Sequence, residues 1–212
     1  MTSQAYSVQP PRIATWLVNL FAPTGEEAES ILGDLQEEFP LLASKSGIPF
    51  ARKWYWRQTM KTIAHLFGAG FRDAPWSVAA AVVGGFLLLR FVTGLPDKLL
   101  SAVTDRYLAF WSTHFKAYIW TLNGMEIAHL TAVTFAGCVV ALVAKGREMV
   151  ATITLALVIC ALHGSALVWI GMHQPIDVAW ILWSCADPLA IVLGGAIVRT
   201  RRSAAKTLPS GA

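Results

Sequence analysis

Charged residues are what this sequence has least of. Asp, Glu, Lys and Arg together make up 14% of its 212 residues, whereas a typical soluble domain contains about 25%. Hydrophobic residues make up 55%, and the mean hydropathy is +0.53. Whole stretches, such as residues 127–144 and 149–172, contain no charged side chain. The composition therefore excludes an ordinary soluble domain and predicts a protein of the lipid bilayer.

Motifs for catalysis and metal binding are also missing. The chain contains no Gly-rich Walker loop, no HExxH, no GxSxG and no Ser, His and Asp in the order of a hydrolase. Its three cysteines, Cys138, Cys160 and Cys185, lie far apart inside apolar runs and without CxxC spacing. This pattern indicates packing residues rather than a disulfide or a metal site. We therefore expect neither an enzyme nor a bound cofactor.

Long apolar runs predict how the chain enters the membrane. The N-terminus lacks the charged start and apolar core of a signal peptide, so we expect internal helices to insert the chain into the membrane. A helix needs about 20 mostly apolar residues to cross a bilayer. Four stretches meet or approach this length, at residues 75–95, 127–144, 149–172 and 176–198. They predict four spans within residues 71–202, before a flexible tail over residues 203–212.

Lys and Arg are concentrated on one side of these spans. That side carries the region before the first span, the turn between the second and third, and the tail after the fourth. Since cytoplasmic loops have an excess of Lys and Arg, we expect both termini in the cytoplasm and the spans in the cell (inner) membrane. The cations on the cytoplasmic side are Arg52, Lys53, Arg57, Lys61, Arg72, Lys145, Arg147, Arg199, Arg201, Arg202 and Lys206, and those on the other side are Lys98, Arg106 and Lys116.

The segment between the first two spans, residues 96–126, is rich in aromatic residues. Its apolar positions, including Tyr107, Trp111 and Tyr118, recur at helical spacing. Trp and Tyr favour the headgroup level of a bilayer, so the pattern predicts an interfacial helix on the outer leaflet. A docking surface for an extracytoplasmic partner is the alternative.

Three helical patterns precede the first span. Apolar residues from Ile13 to Phe21 mark the first, and those from Ala28 to Leu42 mark the second, whose other faces are acidic. The third covers about residues 49–67. They predict a small cytoplasmic head over residues 11–70, after a flexible tail over residues 1–10. The fold class is therefore all-α, with a three-helix head, a four-helix transmembrane bundle and an outer interfacial helix.

The stretch ARKWYWRQTM in the third helix combines aromatic with basic residues. Nucleic-acid binding is a poor interpretation, because the neighbouring acidic helix would repel phosphate. The helix lies either against the anionic inner leaflet or within the head with its cations in solvent. We expect Trp54 or Trp56 to pack on the second helix, and part of the cations to pair with Glu37 or Glu38. The candidate membrane-surface or docking residues are Arg52, Lys53, Trp54, Trp56, Arg57 and Lys61.

The combination of WLVNLFAP, EEAESILGDLQEEF and ARKWYWRQTM resembles the permease prefix domain. This small module stands at the N-terminus of duplicated MacB/FtsX-like ABC permeases, especially acidobacterial ones. The resemblance covers about residues 10–65, and the large extracytoplasmic domain of those permeases has no counterpart in this sequence. It implies association with an ABC-type transport system, whose ATPase would be a separate chain, and it implies no catalytic residue. The matching residues are Trp16, Leu17, Gly33, Asp34, Leu35, Glu37, Glu38, Phe39, Ala51, Arg52, Trp54, Tyr55, Trp56, Arg57 and Gln58.

Ionisable side chains inside the predicted spans are candidates for function, because they are costly in lipid. Counting about 1.5 Å per residue from the outer span ends places His163 and Asp187 at a similar depth, with Arg90 within reach. These three residues form a candidate intramembrane cluster, either as a clamp between helices or as a proton or ligand site. Haem ligation by His129 and His163 is disfavoured, because the same counting places the two histidines at different depths.

Two functions stay open. The first is a non-enzymatic interaction or accessory module of a transport complex, with a permease or an ATPase as partner and the head as docking element. The second is a small transporter or channel that uses the intramembrane polar cluster. Small residues at four-residue spacing, such as Ala81, Gly85, Ala190 and Gly194, indicate close helix contacts within the bundle or in a homo-oligomer.

Overall fold

The computed structural model describes residues 9–22, 26–175 and 178–207. These ranges are helical and contain no β-strand, which confirms the all-α class. The chain divides into two compact units, Met1–Pro75 and Trp76–Ala212, close to the predicted boundary. The helices are α1 (Arg12–Phe21), α2 (Glu26–Ser46), α3 (Ile48–Asp73), α4 (Pro75–Arg106), α5 (Leu108–Thr113), α6 (Phe115–Val143), α7 (Glu148–Gly171) and α8 (Val178–Thr207).

The head consists of α1, α2 and α3 around one small core. Phe39 on α2 and Tyr55 on α3 are fully buried, and their rings meet edge to face with centroids 5.7 Å apart. The Tyr55 hydroxyl lies 2.9 Å from Thr15 Oγ1 on α1. Gly47, with φ of +86°, forms the turn between α2 and α3, a conformation that glycine adopts without steric cost. A single side chain, Tyr55, therefore joins all three helices.

The tryptophans on either side of Tyr55, of which one was expected to pack on the second helix, lie at the edge of this core. Trp54 and Trp56 are half-buried and pack against the core, whereas Tyr55 between them is fully buried. Successive positions on a helix point in directions about 100° apart. Only one of the three aromatics can therefore face the core directly.

The first helix of the head also turns an unexpected face inward. Its large apolar residues Ile13 and Trp16 are 66% and 47% exposed, while Ala14 and Val18 on another face are fully buried. Small side chains allow two helices to approach closely. Helix α1 therefore buries Ala14, Val18 and Leu20, while Ile13 and Trp16 face outward.

Among the described residues, three helices of the second unit are long and apolar enough to cross a membrane. They are Pro75–Gly94 within α4, Phe115–Val143 and Glu148–Gly171, and they cover the first three predicted spans except for the last residue of each. The fourth predicted span, residues 176–198, corresponds mainly to α8, and its residues 176 and 177 lie outside the described residues. The expected C-terminal tail begins later than residue 203, because α8 continues to Thr207.

Glycines allow the helices of the second unit to pack closely. Helices α6, α7 and α8 contact one another. A Cβ atom on Gly194 of α8 would collide with a backbone carbonyl oxygen of α6, and one on Gly137 of α6 would collide with the backbone of α8. A Cβ atom on Gly85 of α4 would meet side chains of α6 and α7, whereas Gly84 faces open space. The small-residue pattern therefore serves contacts within the bundle at Gly85 and Gly194.

The outer segment, residues 96–126, differs from the prediction. Helices α4 and α6 extend into it from either side, and α5 between them has only six residues. Helix α5 packs against α6, and the ring centroids of Trp111 and Tyr118 lie 5.9 Å apart. The segment is helical as expected, but the chain turns on both sides of α5 and divides the aromatic stripe among three helices.

Candidate functional site

A polar cluster joins three helices of the second unit. The Asp187 carboxylate on α8 lies between two imidazoles. Its Oδ1 is 3.1 Å from Nε2 of His129 on α6, and its Oδ2 is 3.9 Å from Nε2 of His163 on α7. The Asp187 side chain is only 14% exposed. One carboxylate thus connects α6, α7 and α8 within the apolar stretches of these helices.

The chain around Asp187 explains how His163 is oriented. Pro188 follows Asp187 inside α8 and has no N–H, so the carbonyl of Ser184, one turn earlier, lacks its usual helical donor. Nδ1 of His163 lies 3.4 Å from this carbonyl oxygen. A carbonyl oxygen only accepts hydrogen bonds. We therefore assign the proton of a neutral His163 to Nδ1, which leaves the lone pair of Nε2 facing Asp187.

His163 and Asp187 lie together as predicted, and His129 is the member that the sequence prediction missed. Counting from residue 127 placed His129 near the outer end of its span, but α6 begins at Phe115, so that His129 lies mid-helix. A signal was present in the sequence. Gly146, in the tight turn between α6 and α7, is equally far along the chain from both histidines. In an antiparallel helix pair, two residues equally distant from the turn lie at the same level.

Arg90 does not belong to the cluster. It lies on an exposed part of α4, and among the described residues Asp187 forms ion pairs only with the two histidines. The described ranges contain no group of three His, Cys, Asp or Glu side chains that could hold a metal ion. The chemistry that the cluster offers is the exchange of protons between one carboxylate and two imidazoles.

A second buried charge lies where α7 begins. Glu148 is 3% exposed, and its carboxylate lies 3.6 Å from Nη1 of Arg199 and accepts a hydrogen bond from Arg202. It also accepts the backbone N–H of Gly146 at 3.1 Å. In the sequence both arginines were recognisable only as flanking cations. The contact places the α6–α7 turn and the end of α8 at one end of the bundle, as the charge distribution predicted.

The candidate docking residues on α3 are divided by burial. The inner face of α3 is occupied by the head core, against which Trp54 and Trp56 pack with part of their rings. The four cations are exposed. The predicted pairs with Glu37 or Glu38 are not observed among the described residues. Helix α3 therefore exposes four cations, Arg52, Lys53, Arg57 and Lys61, which we call the basic strip. Lys53, Arg57 and Lys61 follow one another at four-residue spacing on one face, and Arg52 lies nearer to the buried face.

No family model, no curated protein and no solved structure matches this chain. The resemblance to the permease prefix domain therefore rests on the motifs quoted above.

Proposed function

We propose that the protein is a non-enzymatic integral membrane protein whose head binds a transport partner. The observation that supports this role is the basic strip of α3. The buried face of α3 consists of Ala51, Tyr55 and Thr59, and none of the four cations belongs to it. Exposed charges of one sign attract and orient a partner of the opposite sign. An acidic surface of a membrane-protein subunit fits this strip.

The class of partner follows from the resemblance to the permease prefix domain. That module belongs to ABC-type permeases, so we propose a permease or an ATPase of such a system as the partner. The protein would then act as an accessory or regulatory subunit. ATP hydrolysis would be the activity of a separate chain.

Co-purification of the full chain from its native membranes in mild detergent tests this proposal. The informative variant replaces Arg52, Lys53 and Arg57 by Gln. The matched control neutralises the same number of exposed cations elsewhere, at Lys98, Arg106 and Lys116. We expect a stoichiometric permease or ATPase subunit with the parent and the control, and its loss with the α3 variant. The absence of any transport subunit from the parent sample, or equal recovery with all three proteins, would contradict the proposal.

We also propose that both termini face the cytoplasm and that the membrane is the cell (inner) membrane. The excess of Lys and Arg at the bundle end that carries the α6–α7 turn supports this orientation. Reporter fusions after the last residue and within residues 97–125 should report opposite sides of the membrane. An extracytoplasmic C-terminus would overturn the orientation.

A second candidate function is transport by a small transporter or channel. The cluster of His129, His163 and Asp187 favours it, because ionisable groups between spans mark ion and proton paths. The purified full chain in liposomes would then carry a proton flux that Asp187→Asn abolishes. A flux that equals that of protein-free liposomes would exclude this candidate.

A further inference from the structure

We propose that His129, His163 and Asp187 form a proton-binding site. The reference state has two neutral imidazoles and an ionised Asp187. The site binds one further proton, and this proton lies on His163. The inference goes beyond docking of a partner. It concerns binding of a proton and does not depend on whether the protein transports a substrate.

When both imidazoles are neutral, only one of the two Asp187 carboxylate oxygens accepts a hydrogen bond from a histidine of the cluster. His129 satisfies Oδ1 of Asp187, since a proton on its Nε2 is donated over 3.1 Å. His163 does not donate a hydrogen bond to Oδ2. Its proton lies on Nδ1, which faces the Ser184 carbonyl. Nε2 of His163 and Oδ2 of Asp187 are therefore two acceptors that face each other at 3.9 Å.

One added proton removes this mismatch. A proton from water forms an N–H bond at Nε2 of His163, and no other bond changes. The new N–H points to Oδ2 of Asp187 and forms a charge-assisted hydrogen bond, which is stronger than a neutral one. The net charge of the cluster changes from −1 to zero. This change is favourable between apolar helices, where an uncompensated charge is costly.

In the described part of the chain, Asp187 forms ion pairs with His129 and His163. Among the described residues, no Lys or Arg forms an ion pair with it, and Arg90 on α4 is exposed. The thiols on the three packed helices are uncharged in their ordinary form, and that of Cys138 donates to the backbone of α8. The compensating charge must therefore come from a proton on the cluster itself. A clamp that only held the helices together would require the bond from His129 and no proton on His163.

The site can be tested with the full chain in lipid nanodiscs and ¹⁵N-labelled histidine. Spectra are recorded between about pH 5 and 8, the range in which histidine changes charge. We expect His163 with both nitrogens protonated while infrared spectra show Asp187 as a carboxylate. Asp187→Asn should abolish this doubly protonated signal at the same pH. The exposed His65 and His173 are internal controls, and their signals should not change.

A second variant separates the proposal from a loss of structure. His129→Gln retains the carboxylate and can still donate to Oδ1, so the doubly protonated signal of His163 should persist in a variant that elutes as the parent does. Two results would overturn the proposal. One is a neutral His163 beside an ionised Asp187 in the parent throughout this pH range, and the other is an unchanged His163 signal in folded Asp187→Asn. Both readouts are independent of partner binding and of flux.

Discussion

His163 and Pro188 act on the same carbonyl group from two different helices. Pro188 cannot donate an N–H to the oxygen of Ser184, and Nδ1 of His163 lies 3.4 Å from that oxygen. The imidazole of His163 therefore lies at the carbonyl to which Pro188 cannot donate.

Replacement of Pro188 by Ala should release His163 from its fixed orientation. The new alanine would donate its N–H to the carbonyl of Ser184 and stabilise α8 by up to about 3 kcal/mol. Nδ1 of His163 would then share this carbonyl oxygen with a second donor, which weakens its hydrogen bond, so a neutral His163 should also populate the form with the proton on Nε2. Nitrogen chemical shifts of labelled histidine report this form directly. Pro40→Ala, inside α2, is the control and should leave His163 unchanged. If His163 in Pro188→Ala keeps the Nδ1–H form alone, the assigned hydrogen bond is incorrect.

Gly194→Ala should destabilise the bundle, because the new Cβ atom would strike the backbone of α6, and a backbone cannot change its rotamer. Overpacking of this kind costs on the order of 1–3 kcal/mol. Gly84→Ala adds the same methyl group where nothing lies within 4 Å, so it should be neutral or slightly stabilising. Thermal unfolding of both variants in the same detergent provides the comparison. Equal unfolding temperatures would argue against the close α6–α8 contact.

Glu148→Gln should loosen the bundle end at which α7 begins. The substitution removes the negative charge that faces the nearly buried Arg199, and breaking a buried pair costs about 3–5 kcal/mol. Glu126→Gln removes an exposed carboxylate of α6 and serves as the control, for which we expect little change. Unfolding by increasing fractions of SDS in mixed micelles measures the difference. A Glu148→Gln variant as stable as the control would show that the buried pair contributes nothing to stability.

Substitutions of Tyr55 should weaken the head more than substitutions of its neighbours. Tyr55→Ala removes a fully buried ring and should cost about 3–5 kcal/mol, while Tyr55→Phe loses only the contact with Thr15, about 1 kcal/mol. Trp54 lies at the edge of the core, so Trp54→Ala should destabilise the head less than Tyr55→Ala does. Hydrogen exchange of α1–α3 peptides in the full chain ranks the three variants. The reverse order for Trp54 and Tyr55 would contradict the assignment of the core.

The basic strip of α3 should respond to the charge of the lipid. Each Lys or Arg near an anionic surface is worth about 1 kcal/mol. In nanodiscs we therefore expect slower hydrogen exchange of α3 with anionic than with zwitterionic lipid. Substitution of Arg52, Lys53, Arg57 and Lys61 by Gln should abolish the difference. Identical exchange of the parent in both lipids would remove the leaflet interpretation and leave a partner as the occupant of the strip.

Hydrophobic patterns in the sequence predicted the helices better than the contacts between them. The stripe on α2 predicted correctly that Leu35 and Phe39 would be buried. On α1, however, the small Ala14 and Val18 face the core, and the larger Ile13 does not. Periodicity identifies an apolar face, but the distance to the next helix decides which side chains fit there. That distance depends on the partner helix and cannot be obtained from α1 alone.

The polar cluster was predicted in part for a similar reason. Asp187 and His163 were recognisable because each is an ionisable residue within an apolar run. His129 was assigned the wrong depth because α6 is longer than its apolar segment. The Glu148 pair was missed because Lys and Arg at span ends also occur simply as topological signals. Hydropathy reports the composition of a helix, whereas side-chain pairs depend on the level at which helices meet.

The position of Gly146 midway between His129 and His163 constrains the lengths of α6 and α7. A residue inserted in α7 before His163 would turn that side chain by about 100° and move it by about 1.5 Å along the axis, away from Asp187. A residue inserted at the turn itself leaves each helix in its own phase. The chain can therefore vary in length at the turn. The number of helical residues between the turn and His129, and between the turn and His163, must however stay the same.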